Sequence, residues 1–382
     1  MKATTLLFLS GGSQVAQFIL TSLRGRREPL RLIATSSIAD DPGLWEYDKV
    51  FLAPTTAVQP EPFKQRVLQI IEAEGADLVI PCRDDDIVAL GELVEAQPAL
   101  WPRALCGPAP LARVMHDKWA SHELSKEHGL PYVESAIGGG AESAHAFAAR
   151  VGYPLVVKPR DGFNSNGVFL IDTPAQLERA LARENQVFQA YVGDPDSLAE
   201  LKRQMERDGM PLRYSLRGEK PSIQLMFSPQ SEHVATFASL NSQSFHARHV
   251  VPTADPQTLA LGQQCGAVFS RLGWRGPLNV QCERDRHGRI AIHEFNARYS
   301  AATAERCMLG YDEVALGIEL FTGLTLTPTK WAARPARRVV AQMSPCAVDP
   351  ADVDALQERG WWSPAEQHGD EWHRPSARLA RH

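Results

Sequence analysis

Two short stretches hold amides, a carboxylate and a guanidinium at strand spacing: Asn279-Val280-Gln281 and His293-Glu294-Phe295-Asn296-Ala297-Arg298. Between them Glu283-Arg284-Asp285-Arg286-His287-Gly288-Arg289 is polar, so the whole reads as a hairpin with Gly288 in its turn. Side chains alternate with period two along a strand, which places Ile290, Ile292, Glu294, Asn296 and Arg298 on one face. A two-residue turn at His287-Gly288 would set Gln281 opposite Glu294 on that face. Oxygen donors beside a cation suit a magnesium–nucleotide site. Mg²⁺ takes hard oxygen ligands and shares them with phosphates, and Arg pairs with phosphate oxygens. A solvated strand end with incidental charges accounts for the same residues.

Two further segments have compatible chemistry. Lys158-Pro159-Arg160-Asp161-Gly162-Phe163-Asn164-Ser165-Asn166-Gly167-Val168 reads as a strand end, a small-residue loop and the start of another strand. Gly, Ser and Asn permit tight turns whose N–H groups wrap phosphate oxygens, with Lys158 and Arg160 as point charges. An ordinary hairpin turn is the plainer account. Val187-Phe188-Gln189-Ala190-Tyr191-Val192-Gly193-Asp194 is an apolar strand running into polar chain. It suits the floor of a base pocket or simply a buried strand.

These segments need elements to hold them. Residues 1 to about 112 alternate strand and helix signals: strands at 6–9, 30–34 and 78–81, helices at 14–23, 63–74 and 86–96. That rhythm implies a parallel sheet covered by helices. Gly11-Gly12-Ser13 is no G-x-G-x-x-G fingerprint, which argues against a dinucleotide site. The run Arg83-Asp84-Asp85-Asp86 follows a strand, where ligands of parallel sheets sit, although it also reads as a helix-capping cluster. Gly107-Pro108-Ala109-Pro110 marks a boundary. Beyond it Lys118 opens a helix that stops at Gly129, and Thr173-Pro174-Ala175-Gln176 and Ser197-Leu198-Ala199-Glu200 read as capping boxes. The second opens a helix ending at Gly209, part of a polar excursion over 194–221. From about Trp331 the chain carries several Trp and Arg. Its seven Arg balance seven acids, so it reads as a small packed appendage rather than a nucleic-acid surface.

Hydrophobic content is 44%, charged content 22% and net charge −5 over 382 residues, ordinary for a globular protein of two or three domains. Nothing in that balance favours nucleic acid or membrane. The six Cys form no CxxC pair, which argues against zinc and disulfides and suits a reducing cytoplasm. The apolar stretch 6–9 is too short for a signal peptide and reads as a buried strand.

The order of the segments adds what none carries alone: Lys118, Lys158, the G-x-N-S-x-G-V loop, the apolar hinge, then Gln…Glu-x-Asn-x-Arg. In that order the chain resembles the ATP-grasp superfamily. It is most similar to the ATP-binding halves of carbamoyl-phosphate synthetase large subunits and to stand-alone carboxylate–amine ligases, over about residues 1–325. The resemblance implies an α/β protein: a Rossmann-like pre-ATP-grasp domain (1–112) with a parallel sheet, then an ATP-grasp domain (113–330) whose two α+β subdomains clasp ATP. Its lid covers about 118–190, and residues 331–382 form the appendage.

By the same resemblance Lys118 and Lys158 contact the phosphates of ATP, and Gly162, Ser165 and Gly167 form the loop over them. Gln189, Ala190, Tyr191 and Val192 hold adenine, with Asp194 or Asp196 on the ribose. Gln281, Glu294 and Asn296 bind Mg²⁺, for which Mn²⁺ could substitute. Arg298 steadies the transferring phosphoryl group, with Lys158 flanking it. His246 and Arg248 (and His249) fall where relatives contact substrate, though a solvated strand end explains them equally. Asn164 in place of the usual middle glycine departs from the family loop. The implied activity joins a small-molecule carboxylate to an amine through an acyl phosphate, releasing ADP and phosphate. A homodimer is compatible with it. Bicarbonate activation is a second implication, disfavoured by a single grasp unit with no room for a glutaminase. A nucleotide-binding regulator that has lost catalysis is a third.

Overall fold

A computed structural model describes residues 2–140, 142–161, 166–209, 219–243, 248–285, 287–341 and 346–365. Three sheets organise them. The first contains β1 (Thr4–Leu9), β2 (Leu30–Ser36), β3 (Lys49–Leu52) and β4 (Leu78–Pro81), parallel in the order β3-β2-β1-β4. A small second sheet contains β5 (Ser135–Ile137), β6 (Leu155–Pro159), β7 (Phe169–Ile171) and β8 (Gln186–Ala190), antiparallel in the order β5-β8-β6-β7. The third holds β9 (Lys220–Phe227), β10 (His233–Gln243), β11 (Arg248–Pro252), β12 (Gly276–Arg284), β13 (Ile290–Asn296) and β14 (Val339–Ala341), in the order β13-β12-β9-β10-β11-β14.

The first sheet is apolar on both faces because helices cover both, as parallel sheets require. Leu7, Leu9, Ile33 and Val79 pack on one side; Leu6, Phe8, Leu32, Ala34 and Ile80 pack on the other. The turn after β1 is glycine for a packing reason. A Cβ on Gly11 would lie 2.5 Å from the Ala34 Cβ, and one on Gly12 would lie 2.3 Å from the Asp41 side chain. The chain returns to this sheet at its far end. β15 (Trp361–Trp362) pairs antiparallel with β3, and the Trp362 ring meets Trp45 edge-on at 5.0 Å.

The small sheet has its own core of Phe147, Leu155, Val157, Leu177 and Phe188, under the helices Ala144–Val151 and Pro174–Leu181. The body's core is continuous from the first sheet, through the helix Ala109–His116, to β9, β12 and β13.

Two expectations about helix starts shift. The helix Pro195–Asp208 is capped by Asp194, whose carboxylate accepts from the amides of Asp196 and Ser197, so Ser197 lies inside it. The helix Asp84–Ala96 begins two residues before Asp86. The Thr173–Gln176 capping box forms as expected.

The hairpin holds the main correction. Gln281 does pair with Glu294, but not through a two-residue turn. The loop closes between Asp285 and Arg289, and the register then slips. Cys282 faces Ile292 while Gln281 faces Glu294, so His293 is an extra, bulged residue on β13. The alternation inverts there. Ile292 and Phe295 both lie in the core with Val280 and Cys282, whereas Glu294 and Asn296 sit on the opposite face with Gln281 and Asn279. The single face expected for Ile290 through Arg298 is thus split by one residue.

Candidate active site

Glu294, Asn296 and Gln281 line a cleft between the third sheet and the small sheet, and the bulge sets their surroundings. The His293 carbonyl, turned out of the ladder, accepts from Lys158 Nζ at 3.3 Å and from the Tyr132 hydroxyl at 3.0 Å. Beside it the chain leading into the small sheet pairs with β13: Ile292 N–H donates to Pro131 O at 2.7 Å, and Val133 N–H to Ile292 O at 2.8 Å. One bulge therefore joins the root of the small sheet, its lysine and the Glu294 strand.

Lys118 opens the helix Lys118–Glu127, and its Nζ lies 3.3 Å from Glu294 Oε1. Its position is fixed at the backbone. Asp117 caps the helix by accepting from Trp119 and Ala120 amides and pairs with Arg160, while Lys118 N–H donates to Arg160 O at 2.9 Å. Lys158 is 7% exposed. Burial pulls its ammonium down to about 8; Glu294 opposes that and Lys118 reinforces it. An anion arriving between the two lysines would restore the charge. The His293 imidazole is held neutral, down to about 3, by burial and then by Lys158.

Arg298 continues the row. Its Nη2 donates to Asn296 Oδ1 and to Asp84 Oδ2, both at 2.9 Å, and its Nη1 donates to Tyr299 O at 3.1 Å. Burial works against its charge, and Asp84 more than compensates, raising it. Asp84 behaves reciprocally: burial would raise its carboxyl, but Arg298 holds it below the usual range. The acidic run at the end of β4 both caps its helix and reaches side chains beyond it. Asp86 caps the Arg83 amide at 3.1 Å, Asp84 reaches the guanidinium of the hairpin, and Asp85 Oδ1 lies 3.4 Å from His116 Nε2. The contacts of Asp84 and Asp85 were not legible in sequence because they cross more than 200 residues or join separate helices.

The donor set has the chemistry of a magnesium site, with Asn296 Oδ1 also accepting from Arg298 Nη2. One carboxylate and two amide oxygens are a site that shares the ion with phosphates rather than caging it. Among the described residues no three His, Cys, Asp or Glu side chains cluster as a metal site of their own. The cleft wall also holds polar atoms left unpaired by the fold: Asn296 Nδ2, and both amide atoms of buried Gln224, which lies on β9 opposite Asn279.

The other expected residues are placed as follows. Gln189 is buried on β8, donating to the Ser135 hydroxyl at 3.0 Å. Ala190 N–H is taken by Glu134 O. Tyr191 and Val192 follow the strand at the hinge, half-buried, and burial with Glu283 raises the Tyr191 phenol to about 12. Asp194 is committed to its helix cap. Arg248 pairs with Glu305, donates to Ala301 O and lies 4.9 Å over the Phe18 ring. His249 meets Arg338 at 2.9 Å. Gly167 has a φ of 72° and packs against Pro159. Gly162, Ser165 and His246 lie outside the described residues. Glu283, paired with Lys220 at 2.6 Å on the cleft face, was missed. The period-two count from Gln281 pointed to it.

Residues 117–207 match the protein family described as "Carbamoyl-phosphate synthase L chain, ATP binding domain". The D-alanine–D-alanine ligase of Chromohalobacter salexigens is 26% identical over 182 residues, 47% of this chain and 54% of that one. The N5-carboxyaminoimidazole synthetase of Staphylococcus aureus, solved with ADP, superposes with a TM-score of 0.64 at 14% identity, covering 86% of this chain and 79% of that one. This chain has the ATP-grasp fold. The L-amino acid ligase of Bacillus licheniformis shares the ATP-grasp fold too, with a TM-score of 0.59, 15% identity and coverage of 88% and 79%. The chain spans only 20% to 54% of the length of the curated relatives it matches. Among the described residues no helix is long and apolar enough to cross a membrane.

Proposed function

We propose that this ATP-grasp protein is a carboxylate–amine ligase that forms an amide or peptide bond and releases ADP and phosphate. The observation carrying this reading is the continuous row Lys158, Lys118–Glu294, Asn296–Arg298–Asp84, which runs from the small sheet across the third sheet to the end of β4. A triphosphate laid along it meets two lysines, then the oxygen donors, then a guanidinium. The first sheet presents its strand ends beyond that guanidinium, where a parallel sheet offers a second substrate its place.

A carboxylate is a poor electrophile at neutral pH. Attack of its oxygen on the γ-phosphorus gives an acyl phosphate, and an amine then displaces phosphate. Positioning and charge stabilisation do most of the work in such transfers. Lys118 and Lys158 hold the β and γ oxygens. Arg298, fixed by Asp84 and Asn296, faces the charge that develops on the transferring group. A Mg²⁺ ion on Gln281, Glu294 and Asn296 would neutralise the phosphate oxygens. The small sheet, acting as a lid, excludes the water that would hydrolyse the acyl phosphate. No cysteine is needed: Cys82, Cys106, Cys265, Cys282 and Cys307 are buried.

The test is ADP release with hydroxylamine present, across a panel of carboxylic and amino acids. A hydroxamate formed together with ADP supports the ligase. AMP and pyrophosphate would exclude the acyl phosphate, and turnover requiring bicarbonate alone would transfer the protein to carboxylation chemistry. In the same assay Glu294→Gln should lower kcat by about 10²-fold or more. ADP binding, followed by calorimetry, should change far less. Unimpaired turnover in that variant removes Glu294 from the site.

A further inference from the structure

The ligase reading leaves one proton unassigned. An amine enters as an ammonium ion, which has no lone pair, so something must deprotonate it beside the acyl phosphate. Most acids and bases in the cleft are already engaged. Glu294 faces Lys118 and the donor set, Asp84 is held by Arg298, and Lys158 bonds the His293 carbonyl. Asp86 points back into the first sheet, accepting from Ser10 and Thr56 hydroxyls at 3.1 and 2.8 Å.

The remaining pair is Asp85 with His116. His116 ends the helix Ala109–His116, two residues before Lys118, and Asp85 stands next to Asp84 in the first turn of the helix Asp84–Ala96. The pair thus joins the chain just before Lys118, which meets Glu294, to the chain just after Asp84, which meets Arg298, and His116 is close enough to act on the Asp84 carboxyl. Both side chains are partly open, at 21% and 25% exposure. Burial raises the Asp85 carboxyl, His116 opposes this and Asp84 adds to it. The His116 Nε2 lies 3.4 Å from the Asp85 Oδ1.

We propose that His116, oriented by Asp85, is the group that takes the proton from the acceptor amine. This rests on the ligase reading. With Nε2 facing Asp85 Oδ1 at 3.4 Å, the neutral imidazole would present the lone pair of its other nitrogen, Nδ1, to the amine. The step balances as follows. One proton passes from the ammonium to His116, giving an imidazolium steadied by Asp85. The freed lone pair attacks the acyl carbon, the C–N bond forms, and the C–O bond to phosphorus breaks. Phosphate leaves with that electron pair and takes the second N–H proton. The class of substrate follows: a primary amine that is cationic at neutral pH, such as an amino acid, docked at the β4 end of the first sheet.

Hydroxylamine separates this role from the rest of the reaction, because it is largely unprotonated at neutral pH and needs no base before it attacks. In His116→Gln, amide formation with the amino acid best used by the wild type should fall about 10²-fold or more, while hydroxamate formation falls by less than about threefold. Asp85→Asn should show the same partition, more weakly. Equal loss with both nucleophiles, or loss with neither, overturns the assignment. If wild-type protein makes neither hydroxamate nor amide with any acid, the ligase reading itself fails, and the variants are not needed to see it.

Discussion

Asp86 shows how one buried side chain couples the site to stability. It is fully buried at the end of the first sheet, and burial raises its carboxyl to about 6 even though Thr56, Ser10 and Arg83 favour the charged form. The unfolded value is about 3.9. The folded value is the higher one, so the contribution is fully present below pH about 4 and is lost as pH rises through about 6. Asp86→Asn removes the titration and nearly keeps the shape. Relative to wild type, the variant should gain about 2 kcal/mol between pH 4.5 and pH 7, from 1.36 kcal/mol per pKa unit. Denaturant titrations of both proteins at the two pH values measure this. A constant difference between them would place Asp86 in water.

At the scale of elements, three of the four parallel strands (all but β3), most of the helices around them and the hairpin were legible because period and capping are local properties. The helix opened by Lys118 and the Thr173–Gln176 box form where their residue types require. The pairing of Gln281 with Glu294 was also legible, yet its cause was not. A bulge leaves no composition signal at His293, and it alone explains why Ile292 enters the core two residues before Glu294 faces the cleft. The contacts of Asp84 and His116 were hidden for the opposite reason: they depend on how distant elements meet. So does the return of β15 to β3, which the tryptophan-rich composition signalled only as a packed appendage. Trp362 is 2% exposed and its Nε1 donates to Asp352 Oδ1 at 3.0 Å, so the strand is a built edge of the first sheet. Trp362→Ala should destabilise the protein by about 3–5 kcal/mol. Chemical denaturation followed by tryptophan fluorescence reads this, and a shift within error would make the strand a loose ornament.

At the scale of the molecule, the cores divide the chain into a body and the small-sheet unit proposed as its lid. The first and third sheets share continuous apolar packing, while the small sheet keeps a separate core of Phe147, Leu155, Val157, Leu177 and Phe188. The two parts meet through polar contacts: Lys158 to the His293 carbonyl, Arg160 to Asp117, and the backbone pairing at Ile292. Polar contacts at a cleft yield to water more readily than buried apolar ones do, so the lid should open as a unit at a lower free energy than the body unfolds. Hydrogen exchange tests this directly. Without nucleotide, amides of β6 and β8 should exchange together and faster than those of β1, β2 and β9. At about 100 times the dissociation constant of ADP, mass action allows up to about 2.7 kcal/mol of added protection. That gain should concentrate in the lid and in β13, where the bulge joins the two parts. Uniform exchange across all three sheets would mean that the lid and body open only together, and a nucleotide effect confined to the first sheet would move the binding site away from the Glu294 face.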